Sequence, residues 1–313
     1  EYDLERENYT RLLWVFEGST SYYDDLMLAR SAVIDEAAYL KELGTTISSV
    51  LRGPGRLGQS VADSSFDAWI KFYRQDENTP NAVVSYYTKG ALVALALDLT
   101  IRARTQGKRS LDDVMRLAWE RYGRDFFTRR TGLPEKGFPA LLTEATGLRL
   151  DRQVRDWAEG TADLPLAALF RPLGLVLELK AAEHAGAPIG AKLAMREGAL
   201  QFVNVLNGGA AHAAGLSAGD TLVAIDRLRV ADEQGAKSLL ERYGPGARLL
   251  VHAFRRDELF ECEVVSGTAG ATEATLSVNP RAGDEANRLR EGWLARTLSE
   301  RKKRGRHPDP KRA

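Results

Sequence analysis

Asn207-Gly208-Gly209-Ala210-Ala211-His212-Ala213-Ala214-Gly215-Leu216-Ser217-Ala218-Gly219-Asp220-Thr221-Leu222-Val223-Ala224-Ile225-Asp226 reads as a turn, a short helix, a second turn and a strand. Glycines break the stretch where the chain must reverse, and the aliphatic, β-branched run Thr221 to Ile225 fits a sheet. The same texture extends to either side, with strand-like runs at Leu173 to Leu179, Leu200 to Leu206 and Arg248 to Phe254 between glycine-rich turns. Upstream of Pro172 it stops. From Asn8 to about Leu169 apolar residues recur at three- and four-residue spacing, which is the period of helices. The change of period places a domain boundary near Arg171, and 313 residues are enough for two domains.

In the helical half the longest pattern runs from Ser85 to Gln106, with Ala91, Leu92, Leu95, Leu99 and Ile101 as a buried stripe and Gly107 as the stop. Ser110 and Asp113 form a capping-box pattern that opens the next helix. Shorter helices are expected at Phe138 to Ala145 and Asp151 to Ala158. Near the far end, Asp284 to Leu298 again has helical spacing, with Leu289, Trp293 and Leu294 on one side. The basic run Arg301-Lys302-Lys303-Arg304-Gly305-Arg306 reads as a solvated, disordered tail.

A formal net charge of +1 provides no bulk attraction for nucleic acid or an anionic membrane, so neither is expected as a partner. No apolar run is long enough to cross a bilayer, and a soluble protein is expected. Cys262, the single cysteine, excludes an internal disulfide and a cysteine-based zinc cluster, and it fits a reducing or an oxidising compartment equally. The chain opens Glu1-Tyr2-Asp3-Leu4-Glu5-Arg6, without methionine or a signal-peptide pattern, as expected of a fragment or processed product.

Two residues in Leu12-Leu13-Trp14-Val15-Phe16-Glu17-Gly18-Ser19-Thr20-Ser21-Tyr22-Tyr23 are out of place in an apolar helix. Glu17 shares a helical face with Leu13, Trp14, Thr20 and Ser21, so its charge is expected to be largely desolvated unless a cation or several donors meet it. Gly18 gives up about 1 kcal/mol of helix propensity relative to alanine, a loss normally kept only where something approaches closely. From the residues alone, two partners fit Glu17: a buried arginine or tyrosine hydroxyls, and a metal ion. Seventy positions later, Ser85-Tyr86-Tyr87-Thr88-Lys89-Gly90 heads the long helix, where both tyrosines could equally be packing residues.

The segment Glu7 to Leu26 resembles the one that carries the third zinc ligand in the glycyl aminopeptidase family of metallopeptidases. In that family and the related aminopeptidase N type, an upstream H-E-x-x-H helix supplies two histidine ligands and a general-base glutamate, and a glutamate on the next helix completes the site. The resemblance assigns Glu17 to that last position. It also matches Tyr87-Thr88-Lys89-Gly90 to the family's Y-x-K-G motif, whose tyrosine donates to the oxyanion of the tetrahedral intermediate. The implied activity is zinc-dependent removal of small N-terminal residues, glycine and alanine, from peptides. No H-E-x-x-H occurs here, and His184, His212, His252 and His307 lie far apart. A catalytic zinc needs three protein ligands, so this chain alone is expected to be inactive, with the missing ligands before Glu1.

Pro188 to Gly267 resembles a PDZ domain of bacterial proteases. The resemblance puts Ile189, Gly190 and Ala191 in the carboxylate-binding loop and Lys192 and Leu193 on the groove strand. A peptide C-terminus would add there as a strand, with Asp232 to Tyr243 as the facing helix. The domain could equally pack on the catalytic body. The expected fold is therefore multidomain α + β: residues 1–170, the all-α C-terminal half of a thermolysin-like catalytic domain; 171–270, a PDZ β-sandwich or barrel; 271–300, an extension with a helix; and 301–313, the basic tail. A non-catalytic PDZ adaptor binding peptide C-termini is the competing expectation. The compartment, bacterial cytoplasm or periplasm, stays open.

Overall fold

The computed structural model describes residues 3–181 and 188–294, and in it the apolar side chains gather into two cores. The expected basic tail and the end of the helical extension lie outside the described residues. The larger core is built around the helix Thr88–Arg104, in which every residue from Lys89 to Arg102 is buried. A helix enclosed on all sides needs apolar residues all round, and Ala91 to Leu97 is one unbroken apolar run. Against it lies α1 (Leu13–Arg30), which turns Trp14, Gly18, Tyr22, Leu26 and Ala29 inward at helical spacing. Next comes α2 (Glu36–Arg52), started by Asp35, whose carboxylate accepts from the Ala38 amide at 2.8 Å. The capping box opens the helix Leu111–Ala118, with the Ser110 amide donating to Asp113 Oδ2 at 2.8 Å.

Among the described residues eight strands follow. β1 (Leu175–Ala181) and β8 (Ala271–Val278) pair only with each other, antiparallel, from Leu175 opposite Val278 onward. This ribbon lies on α2, where Ser48 Oγ accepts from the Ala274 amide at 2.8 Å and Arg52 chelates Glu273. Leu175 and Leu276 join the larger core, as do Leu289, Trp293 and Leu294 of the helix Asp284–Leu294. The strand expected to open the second domain thus packs in the first core. Period-two patterning marks a strand but not its partner, and this partner is nearly a hundred residues away.

The smaller core fills a six-stranded antiparallel sheet of β2 (Ala191–Arg196), β3 (Ala199–Val205), β4 (Thr221–Ile225), β5 (Leu228–Arg229), β6 (Arg248–Arg255) and β7 (Glu258–Val265). The order is β2-β3-β4-β6-β7, with β5 beside β4, so β2 and β7 are edges. The helix Glu233–Leu240 packs Ala236 and Leu239 into this core.

The helical body is also tied by buried charge. Asp98, fully enclosed, accepts from the Tyr22 hydroxyl at 2.6 Å, Arg102 Nε at 3.0 Å and the Leu111 amide at 2.8 Å. Trp293 Nε1 donates to Tyr22 Oη at 2.8 Å, which brings the helix Asp284–Leu294 into the same network. Replacing Asp98 with alanine leaves the Arg102 charge and two donors buried without their acceptor. A loss of about 3–5 kcal/mol is expected, read as a lowered denaturant midpoint, and an unchanged midpoint would contradict it.

Candidate active site

The two helices that carry the motifs meet through their glycines. A Cβ placed on Gly18 would come within 2.6 Å of the Gly90 carbonyl carbon, and one placed on Gly90 would lie 3.1 Å from Gly18 Cα. The close approach that Gly18 permits is therefore the backbone of the helix Thr88–Arg104. Because Gly18 follows Glu17 and Gly90 ends Tyr87-Thr88-Lys89-Gly90, the crossing brings Glu17 near enough to Tyr87 for its charge to act on the phenol.

Glu17 is half-buried, not enclosed. The inward face of α1 runs through Trp14, Gly18 and Tyr22, which puts Glu17 on its rim, so the expected strong desolvation does not hold. Among the described residues no side chain forms a hydrogen bond or ion pair with its carboxylate, and neither an arginine nor a tyrosine hydroxyl serves as its partner. Its negative charge does act on the Tyr87 phenol.

Tyr87 precedes the first residue of its helix and its carbonyl accepts from the Ala91 amide at 2.8 Å. Its ring stacks on Tyr86 with centroids 4.6 Å apart. The Tyr87 hydroxyl lies 3.0 Å from that of Tyr73, which accepts from the Tyr86 hydroxyl at 3.1 Å. The hydrogen bond with Tyr73, then burial and the Glu17 charge, push the Tyr87 pKa above the usual phenol range, against a smaller opposing influence of Tyr86. Burial raises Tyr86 as well, followed by its bond to Tyr73. Tyr86 and Tyr87 thus keep their protons at neutral pH. Tyr73 was not singled out in the sequence, although the doublets Phe72-Tyr73 and Tyr86-Tyr87 offered a signal: Phe72 packs on Tyr86 at 4.8 Å.

Lys89 has turned inward, with 1% of its surface exposed. Its Nζ donates to the Arg56 carbonyl at 3.0 Å and the Thr161 carbonyl at 3.4 Å, and burial lowers its pKa despite nearby Asp163. It links two loops to the head of the Tyr87 helix.

In the six-stranded unit, Ile189 and Gly190 use their carbonyls internally, accepting from the Ala211 amide at 2.7 Å and the Leu206 amide at 2.8 Å. Gly190 has φ +68°, and a Cβ there would lie 2.8 Å from Gly209 Cα, so this turn requires glycine. Ala191 pairs with Val205, Lys192 with Asn204 and Leu193 with Phe202 on β3, which leaves the other side of β2 as the sheet edge. One amide of β2 is taken, since Met195 N donates to Glu233 Oε1 at 3.1 Å.

Among the described residues no group of three or more His, Cys, Asp or Glu side chains converges to hold a metal, and no helix is long and apolar enough to cross a membrane.

The chain has relatives among known proteins. Residues 1–93 match the model of the M61 glycyl aminopeptidase family. The crystal structure of an aminopeptidase N family protein from Idiomarina loihiensis is 40% identical over 94% of this chain, with a TM-score of 0.82. The chain belongs to the M61 glycyl aminopeptidase family. It spans 50% of the length of the Idiomarina protein. An HtrA-type protease with a decapeptide is 17% identical over 34% of this chain and 32% of its own, at a TM-score of 0.24. The photosystem II D1 C-terminal processing protease is 14% identical over 60% and 45%, at 0.26; neither likeness carries weight. No curated protein sequence matches.

Proposed function

We propose that this chain is the helical and C-terminal portion of a zinc aminopeptidase that removes small N-terminal residues from peptides. Glu17 is one zinc ligand, and the Tyr87 hydroxyl donates to the oxyanion. The observation that carries the reading is the glycine-to-glycine crossing, which sets an unpartnered carboxylate beside a phenol that keeps its proton.

The residues fit the metal on their chemistry. A half-buried carboxylate with no protein donor is an available oxygen ligand, and Thr20 and Ser21 beside it carry no competing charge. One carboxylate is two ligands short, so the other ligands belong to a part of the protein outside this chain, and the chain alone is inactive. When bound, zinc would acidify its water and polarise the scissile carbonyl.

Tyr87 supplies what this chain itself contributes to the reaction. Either hydroxyl of the Tyr73–Tyr87 pair can donate, so as negative charge develops on the substrate oxygen the Tyr87 proton turns to it and Tyr73, which already accepts from Tyr86, donates to Tyr87 in its place. The six-stranded unit is a PDZ-type module that takes a peptide C-terminus along β2, with Ile189 to Ala191 at the carboxylate and Lys192 and Leu193 on the pairing strand.

The test is Glu17→Gln in the full-length protein. The substitution keeps size and polarity but removes the charge a zinc ligand needs, so bound zinc should fall from stoichiometric to near absent while the circular dichroism spectrum is unchanged. Full zinc occupancy in the variant would remove Glu17 from the site.

A further inference from the structure

Residues 74–84 join the two aromatic doublets, leaving Tyr73 and returning to Tyr86 and Tyr87. The returning end is pinned to the helical body: the Val84 amide donates to Gln59 Oε1 at 3.0 Å, and Ser64 Oγ donates to the Val84 carbonyl. The middle of the segment reaches the six-stranded unit instead. Asn81 Nδ2 donates to the Val205 carbonyl at 2.9 Å, and Asn81 Oδ1 accepts from the Asn207 amide at 2.9 Å. Beside this pair, Asn204 Nδ2 donates to the Glu77 carbonyl at 3.0 Å. A carboxamide presents a donor and an acceptor together, so it can bind a carbonyl and an amide two residues apart on one strand end.

Tyr73 lies on the outgoing side and is 63% exposed. Its amide is held by the Ala68 carbonyl at 3.0 Å, but packing holds its ring only in part, so the course of the backbone that follows it bears on where its hydroxyl lies. We propose that Asn81 is a positioning residue for the reaction. Clamped to the end of β3, it holds residues 74–84 so that the Tyr73 hydroxyl stays within hydrogen-bond reach of Tyr87. The six-stranded unit then takes part in aiming the oxyanion donor as well as in peptide capture. This inference rests on the reading of Tyr87 as that donor.

Releasing the clamp frees Tyr73 and leaves Tyr87 without its partner. The substrate still binds, but the donor is poorly aimed at the charge that develops later, so kcat falls and KM changes little. A misplacement of this kind is expected to lower kcat by about 10- to 100-fold.

The experiment uses the full-length protein with 3-fluorotyrosine at position 87. Asn81→Ala should shift the Tyr87 fluorine resonance, speed amide exchange across residues 74–84 and lower kcat at constant KM. Asn81→Asp keeps the acceptor for the Asn207 amide and loses the donor to Val205, so it should fall between wild type and alanine. The inference is overturned if the clamp opens by amide exchange while the Tyr87 resonance and kcat stay put. It is equally overturned if kcat falls only as far as the melting temperature falls, with no shift of the resonance. Failure of the donor reading has its own signature, full turnover by Tyr87→Phe, and the fluorine signal still reports whether Asn81 positions the ring.

Discussion

Tyr87→Phe in the full-length protein is expected to retain zinc and lose about 100- to 1000-fold in kcat, as removal of one oxyanion donor does elsewhere. The substitution isolates the hydroxyl. Phenylalanine keeps the stack on Tyr86 at 4.6 Å and the contact with Phe72 at 5.8 Å, so the head of the helix Thr88–Arg104 should stay in place. The hydroxyl it removes bonds to Tyr73, on the exposed side of the cluster, so the stability cost should be about 1 kcal/mol or less. A donor used only in the transition state lowers kcat and kcat/KM together, and that is the pattern to look for with a chromogenic glycyl or alanyl substrate. Because the pKa of Tyr87 is raised, its donor form persists through the alkaline range. A wild-type profile that lost activity on the alkaline side below about pH 10 would therefore have to be assigned to another group. Wild-type turnover by the phenylalanine variant removes Tyr87 from the mechanism.

What could be read in the sequence was local. Thr221 to Ile225 is a strand with those limits, and the Ser110 capping box opens its helix, because turn glycines and caps act within a few residues. The long helix begins at Thr88, three residues later than its apolar spacing suggests, and Ser85 leads into it as a turn, its Oγ accepting from the Thr88 amide and its carbonyl from the Lys89 amide. Gly18 was legible as a site of close approach, but what approaches it was not: Gly90 is seventy-two positions away. The pairing of β1 with β8, the partial exposure of Glu17 and the part played by Tyr73 and Asn81 were hidden for the same reason. Each depends on which distant segment lies alongside, and neither periodicity nor residue type encodes that.

The glycine crossing carries the second large prediction, because both motifs depend on it. In Gly18→Ala the new Cβ would meet Gly90 at 2.6 Å to the carbonyl carbon, 2.8 Å to Cα and 2.9 Å to the oxygen. All three atoms are backbone, so no side chain can rotate away, and relief requires the helices to move apart by about 1 Å to restore ordinary contact. Alanine is better than glycine in a helix by about 1 kcal/mol, which opposes the clash but does not match it: overpacking a core typically costs about 1–3 kcal/mol, and here the crowded partner is the most buried helix of the body. A net loss of about 1–2 kcal/mol is expected in the denaturant midpoint. The effect on turnover should be larger, about 100-fold, since the same displacement separates Glu17 from Tyr87 and misplacements of this size cost that much. Gly292 provides the comparison. It lies in the helix Asp284–Leu294 with open space around a new Cβ, so Gly292→Ala should leave turnover intact and give a small gain in stability. If Gly18→Ala behaved like Gly292→Ala, the two helices would not be in backbone contact, and the placement of the carboxylate beside the phenol would lose its structural cause.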